Sequence, residues 1–231
     1  MLWRHRARAG CVATQKRGRT AHGHATGIKG TGGITAVLPK SFYERRVHKV
    51  ARDLIGCKLV HKVVGGIIVE TEAYNRHDPA CHAYSGVTER NRIMFGPPGR
   101  AYIYFTYGMH HLFNIICEEE GEPAAVLIRA IEPTDGIAIM RQRRAPVYEV
   151  LQLTNGPGKL AQALGMDLSE YGKPVYRGDI KVFERSPDWK RPGIVVTARI
   201  GIKVGTRRKW RYCAAGSRYL SRNISEKGAV K

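Results

Sequence analysis

Val69-Glu70-Thr71-Glu72-Ala73-Tyr74 is the stretch on which the fold turns. It reads as a strand, and side chains alternate across a strand, so Ile68, Glu70, Glu72 and Tyr74 share one face while Ile67, Val69, Thr71 and Ala73 take the other. The odd-numbered face can be buried. Two carboxylates in register on the even face cannot be ordinary core, because ionised acids go inside only with cations, a ligand or water beside them. That face is therefore either a site or a solvated edge whose glutamates pair with surface Lys or Arg.

Three further β-rich runs lie downstream, separated by short Gly/Pro punctuation, and they read as a meander. The first, Ala101 to Met109, holds Tyr102, Tyr104 and Tyr107; the second runs from His110 to Cys117; the third runs from Ala124 to Ile131. Tyr107 has the opposite parity to the other two tyrosines and is expected to leave the strand at the Tyr-Gly-Met turn. Asn114 and Arg129 are the strongly polar residues inside otherwise apolar strands. A buried Arg needs a partner, and the surplus glutamates of the 67–74 strand are the candidates.

The rest of the chain frames this sheet. Ser41-Phe-Tyr-Glu44 reads as a capping box opening a helix with Tyr43, Val47, Val50 and Leu54 on its apolar stripe, ending near Gly56. Further helices are expected at about 134–144 and at 157–164, where Pro157 suits the first turn and Gly165 the C-terminal cap. Strand-like runs at 178–184, 193–204 and 209–213 complete a mixed, mainly antiparallel sheet. The expected fold is thus a single α+β domain, a curved sheet flanked by helices, over residues 41–222. A basic, Gly-rich arm precedes it (1–40), expected to be disordered because it lacks apolar periodicity, and a short tail follows (223–231).

The formal charge is +20. Residues 1–40 carry 8 Lys or Arg and no acid, which leaves 31 basic and 19 acidic residues, +12, on the remainder. The excess therefore belongs to the folded part as well as the arm, as expected of a nucleic-acid binder. Cysteines at 11, 57, 81, 117 and 213 show no Cys-x-x-Cys pair and no zinc spacing, so they read as reduced thiols and no metal site is expected. No run of 18 apolar residues exists, so no membrane span is expected.

Glu70-Thr-Glu72-Ala-Tyr74, His82, Arg90-Asn-Arg92-Ile-Met-Phe95, Tyr102-Ile-Tyr104-Phe-Thr-Tyr107-Gly-Met109, Asn114, Leu127-Ile-Arg129-Ala-Ile-Glu-Pro133 and Asn155-Gly-Pro-Gly-Lys159-Leu160 follow one another in an order that resembles the 3-methyladenine (alkyladenine) DNA glycosylase family. The resemblance runs from about Phe42 to Tyr219, roughly four fifths of the chain. It implies a monofunctional glycosylase of base excision repair that swings alkylated or deaminated purines out of duplex DNA and hydrolyses the N-glycosidic bond, leaving an abasic site. It implies no cofactor, and a monomer acting on double-stranded DNA with damaged purines. The compartment would be cytoplasmic, at the nucleoid, in a bacterium and nuclear or organellar in a eukaryote. The alternative is a non-catalytic basic protein that uses the tyrosines as a stacking platform for nucleic acid.

Under the resemblance, Tyr74, His82 and Tyr104 match the positions that sandwich the flipped base, a task suited to aromatic faces because alkylated purines are electron-poor. Asn114 matches the residue beside the base's minor-groove edge. Tyr107 matches the residue wedged into the vacated stack, and Lys159 resembles a backbone phosphate contact; Arg92 completes the expected DNA contacts. Glu72 is expected to be the general base, with Arg129 holding it ionised and orienting the water, since a carboxylate also stabilises the developing oxocarbenium charge. Glu70 is the second choice. A lyase-type reaction would need an amine for a Schiff base, and no lysine lies in the motif blocks near Glu72.

Overall fold

The computed structural model describes residues 35–106, 108–190 and 192–224. Most of the arm, Tyr107 and most of the expected tail therefore lie outside the described residues.

The organising element is a twelve-residue strand, β2 (Val64–Asn75), preceded by β1 (Lys58–His61). The expected meander follows as β3 (Ala101–Thr106), β4 (His110–Cys117) and β5 (Ala124–Asp135). After the helical region come β6 (Tyr176–Arg177), β7 (Ile180–Phe183), β8 (Ile194–Thr197) and β9 (Arg211–Ala214). The sheet runs β3-β4-β5-β2-β1-β7-β6, and β9 joins β2 and β8. Each described pairing between these strands is antiparallel. One edge of β2 pairs with β5 along its length, while the other is shared end to end by β1 and β9. This division, with register shifts between Ile68 and Glu70 and between Glu70 and Thr71, curls the sheet into a half-barrel. Gly66 permits the close passage of β5: a Cβ there would sit 2.2 Å from the Glu132 carbonyl oxygen.

Both faces of β2 are buried from Ile68 to Ala73, so Glu70 and Glu72 are wholly enclosed rather than solvated. Reading straight across the sheet, Tyr102 on β3 faces Asn114 on β4, which faces Leu127 on β5, which faces Glu72 on β2, which faces Arg211 on β9. Directly opposed residues project to the same side, so this row forms a floor.

Helices close the opposite side. The expected first helix is two short pieces, α1 (Lys40–Tyr43) and α2 (Val47–Asp53), and the capping box is absent. Pro39 precedes α1, and the amide of Val47 is capped from across the fold by Glu118 Oε1 at 2.9 Å, which replaces a local cap with a tertiary one. The apolar stripe survives: Tyr43, Val47, Val50 and Leu54 are fully buried. α3 (Ile137–Arg143), α4 (Val150–Leu153) and α5 (Pro157–Leu164) follow, and α5 has Pro157 in its first turn and Gly165 in the left-handed cap as expected. Leu160, Ala161 and Leu164 of α5 join α2 and the sheet in the main core. Cys57, Cys81, Cys117 and Cys213 are buried free thiols, each pushed up in pKa by burial. Among the described residues no helix is long and apolar enough to cross a membrane.

Candidate active site

A cavity of about 420 Å³ opens on the row Tyr102–Asn114–Leu127, within the size range of small-molecule sites. Tyr74, His82, Tyr104, Asn114 and Arg129 all line it. The sequence named each of these; Tyr104, Asn114 and Arg129 come from the meander, Tyr74 from the end of β2 and His82 from the loop after it. Three aromatic rings cluster on one wall: the His82 and Tyr104 centroids are 4.6 Å apart at 65°, and Tyr102 lies 5.4 Å from Tyr104. His82 Nδ1 is 2.7 Å from the Tyr102 hydroxyl, which locks the ring. Partial burial and the neighbouring Arg90 lower the His82 pKa from its ordinary value, so this wall is uncharged at neutral pH.

The acid pair lies behind the opposite wall. Glu72 Oε1 accepts the Ile200 amide at 2.8 Å, while Oε2 accepts the Tyr74 hydroxyl at 2.7 Å and Arg129 Nη1 at 3.2 Å. Tyr74, Arg129 and Ile200 are themselves cavity residues, so the carboxylate sits one layer behind the surface with its three donors forming the screen. Burial raises the Tyr74 pKa, and the Glu72 charge raises it further, which keeps the phenol a donor.

Glu70 is saturated differently. Its Oε1 accepts Arg129 Nε at 2.8 Å, Arg211 Nε at 2.7 Å and the Ser221 hydroxyl at 2.7 Å; Oε2 accepts the Ser221 amide at 2.6 Å. Burial alone would raise its pKa, but Arg129 and Arg211 override it and hold the carboxyl below its ordinary value. Burial works against the Arg129 charge as well, and Glu72 and Glu70 outweigh it. The partners expected for the lone arginine of β5 are thus the ones it has.

Several parts of the site carried no assignment in the sequence. The run at 193–204, expected as strand throughout, is strand only to Thr197; Ile200–Val204 instead forms a cavity wall. Arg199, at its head, is buried and forms a two-pronged ion pair with Asp78, with Nη2 to Oδ1 at 2.9 Å and a second contact from Nη1 to Oδ2. Its guanidinium lies 4.6 Å from the Tyr74 ring centroid and 5.1 Å from that of Trp210. The rule that exposed Arg129, a lone Arg in an apolar run demanding an acid, applies equally to Arg199. Lys203 also lines the cavity, exposed, so an amine does stand in the same cavity as Arg129.

The expected DNA contacts fare unevenly. Lys159 is in the first turn of α5, its ammonium 2.9 Å from Asn155 Oδ1, beside the cavity residue Pro157. Arg92 is in a separate single turn, Arg92–Phe95, and pairs with exposed Glu89 at 2.7 Å; it does not line the cavity. Asn114 Nδ2 donates to the Tyr102 carbonyl at 3.1 Å, so its amide is satisfied by backbone while it faces the cavity.

An enclosed carboxylate held by a guanidinium and a phenol thus lies behind a cavity walled by aromatics. The model of the Methylpurine-DNA glycosylase (MPG) family matches residues 41–218. A protein of Rhodopseudomonas palustris (strain BisB18) is 48% identical over 189 residues, covering 82% of this chain and 92% of its own. One of Carboxydothermus hydrogenoformans is 46% identical over 190 residues, covering 80% and 99%, and one of Methanoculleus marisnigri is 45% identical over 190 residues, covering 80% and 98%. All three bear the name "Putative 3-methyladenine DNA glycosylase". The match spans the β2 acids, the meander and the cavity wall alike, and the chain belongs to the methylpurine-DNA glycosylase family, hydrolases of N-glycosyl bonds.

Proposed function

We propose that the protein is a monofunctional glycosylase that removes alkylated or deaminated purines from duplex DNA, with Glu72 as general base and no cofactor. The observation that carries this reading is the screen around Glu72: the three groups that bind the carboxylate are walls of the cavity that would hold the base. Arg129 pairs with the acid, its Nη1 3.2 Å from Oε2. Of the three donors, the Tyr74 hydroxyl is the uncharged side chain, and its release on base binding would present Oε2 to a water aimed at the sugar. The flipped base would lie between Tyr74 and the His82–Tyr104 wall, with Asn114 against its minor-groove edge. Tyr107, in the β3–β4 connection, would fill the gap in the duplex, and Lys159 would hold a backbone phosphate. The chain would work as a monomer, in the cytoplasm of a prokaryotic cell.

Excision from duplexes carrying single 3-methyladenine, 7-methylguanine, hypoxanthine or ethenoadenine residues tests this, with abasic sites revealed as alkali-labile breaks. Release of free base with strands intact before alkali is expected. Binding without release from any duplex of the panel would overturn the reading. Lys203 favours a second one, a lyase that captures the sugar aldehyde as an imine. Borohydride added during turnover distinguishes them: the hydrolytic reading expects no covalent protein–DNA adduct, and a trapped adduct lost in Lys203→Ala would establish the lyase.

A further inference from the structure

We propose that Asp78 and Arg199 form a positioning clamp that fixes the cavity wall Ile200–Val204 and, through the Ile200 amide, the attitude of Glu72. The inference rests on the assignment of Glu72 as base.

The clamp grips the wall at both ends. At its head, Arg199 is bound to Asp78 through two nitrogens and to the Ala73 carbonyl at 3.0 Å through Nη1. At its foot, Gly205 turns with φ +65° directly onto the same pair: a Cβ there would sit 2.9 Å from Asp78 Oδ1 and 3.3 Å from Arg199 Nη2. Five consecutive cavity residues therefore run between Arg199 itself and a glycine lying close against the same buried ion pair. The first of them, Ile200, donates its amide to Glu72. The same guanidinium lies over Tyr74, whose hydroxyl donates to the other oxygen of Glu72. Two of the three donors to the carboxylate are thus placed by a single side chain.

Arg199 Nε is buried without a hydrogen-bond partner among the described residues. The guanidinium is oriented by its Nη contacts and its two aromatic neighbours at the expense of that third donor. Such local conflict is expected where geometry serves function. Lysine could not substitute, because an ammonium lacks the planar fork that binds a carboxylate twice while stacking on rings. Asp78 and Arg199 touch no reacting atom; they act through Ile200 and Tyr74.

Arg199→Lys and Asp78→Asn, each on the full chain, test the clamp with a duplex holding one hypoxanthine. A wall displaced by about 1 Å should lower the single-turnover excision rate by about 100-fold while lesion binding changes by less than threefold. The double variant should be no slower than the worse single one, because both remove the same unit. Gly205→Ala, which presses on the clamp from the far end and leaves both charges in place, should show the same split and covers the case in which an ion-pair variant does not fold. A folded variant with the parent rate, rate and binding falling in the same ratio, or additive losses in the double variant would each overturn the proposal. Glu72→Gln in the same assay separates the two levels: parent-like excision there would refute the base assignment, whereas an inert Glu72→Gln beside an unaffected Arg199→Lys would refute the clamp alone.

Discussion

Replacing Glu72 by Gln is the most informative single change, because three donors converge on the carboxylate and it carries no donor of its own. The amide can turn either way. With its NH2 toward Ile200, it sets donor against donor at the 2.8 Å contact; with its NH2 toward the other side, it forfeits the 3.2 Å contact from Arg129, although the Tyr74 hydroxyl can rotate to accept. One buried donor is stranded in either case, at about 1–3 kcal/mol. For a domain of this size each kcal/mol lowers Tm by about 2–4 °C, so the variant should stay folded. The chemical loss is larger: removing a general base slows the step by about 10²–10⁴, or roughly 3–5 kcal/mol of barrier. Single-turnover excision should collapse while lesion binding persists. Glu70→Gln should show the reverse balance, since Glu70 receives four hydrogen bonds from Arg129, Arg211 and Ser221 and is screened from the cavity, so Tm should fall more than rate. Near-parent excision by Glu72→Gln, with loss in a folded Glu70→Gln, would show that the roles are exchanged.

Asn114→Ser should raise excision of 7-methylguanine relative to hypoxanthine, because the shortened side chain leaves room for the guanine N2 amino group; an unchanged ratio would assign Asn114 to backbone support alone. Lys159→Ala should reduce the slope of log K against log salt by about 0.9, and an unaltered slope would mean that its tie to Asn155 is its whole role. Glu70 has a folded pKa below its unfolded value of about 4.3, so its stabilisation is complete above that pH and is lost as pH falls through the folded value. Thermal melts from pH 6 to 3 should therefore steepen below about pH 4.3 in the parent and less so in Glu70→Gln; parallel curves would refute the linkage.

The sequence carried the parts of this architecture that depend on short-range pattern. The meander, the Pro157–Gly165 helix and the Glu-x-Glu strand each obey a local period or cap, and Arg129 betrayed itself by being charged among apolar neighbours. What it concealed was set by distant contacts. The Ser41–Glu44 box yielded to a cap supplied by Glu118, 71 residues from Val47. The second face of β2 is buried because Ile200 and Ser221, 128 and 151 residues away, close over Glu72 and Glu70. The apolar residues Ile200, Ile202 and Val204 imitate a strand because a cavity wall requires the same hydrophobic side chains as a core. The Asp78 partner of Arg199, 121 residues away, left no periodic trace.

The four buried thiols bear on how such a protein survives its own working conditions. Alkylating agents attack thiolates far faster than thiols, and burial pushes Cys57 and Cys81 up to about 11 and Cys213 up to about 12. At pH 7 a thiol with a pKa near 11 is ionised about once in ten thousand molecules, and Cys117 is still less available. On the proposed function, the chemicals that damage its DNA substrate find these sulfurs protonated and enclosed. Repair capacity would then persist through the exposure that creates the need for it, and iodoacetamide should label these cysteines only as the fold opens.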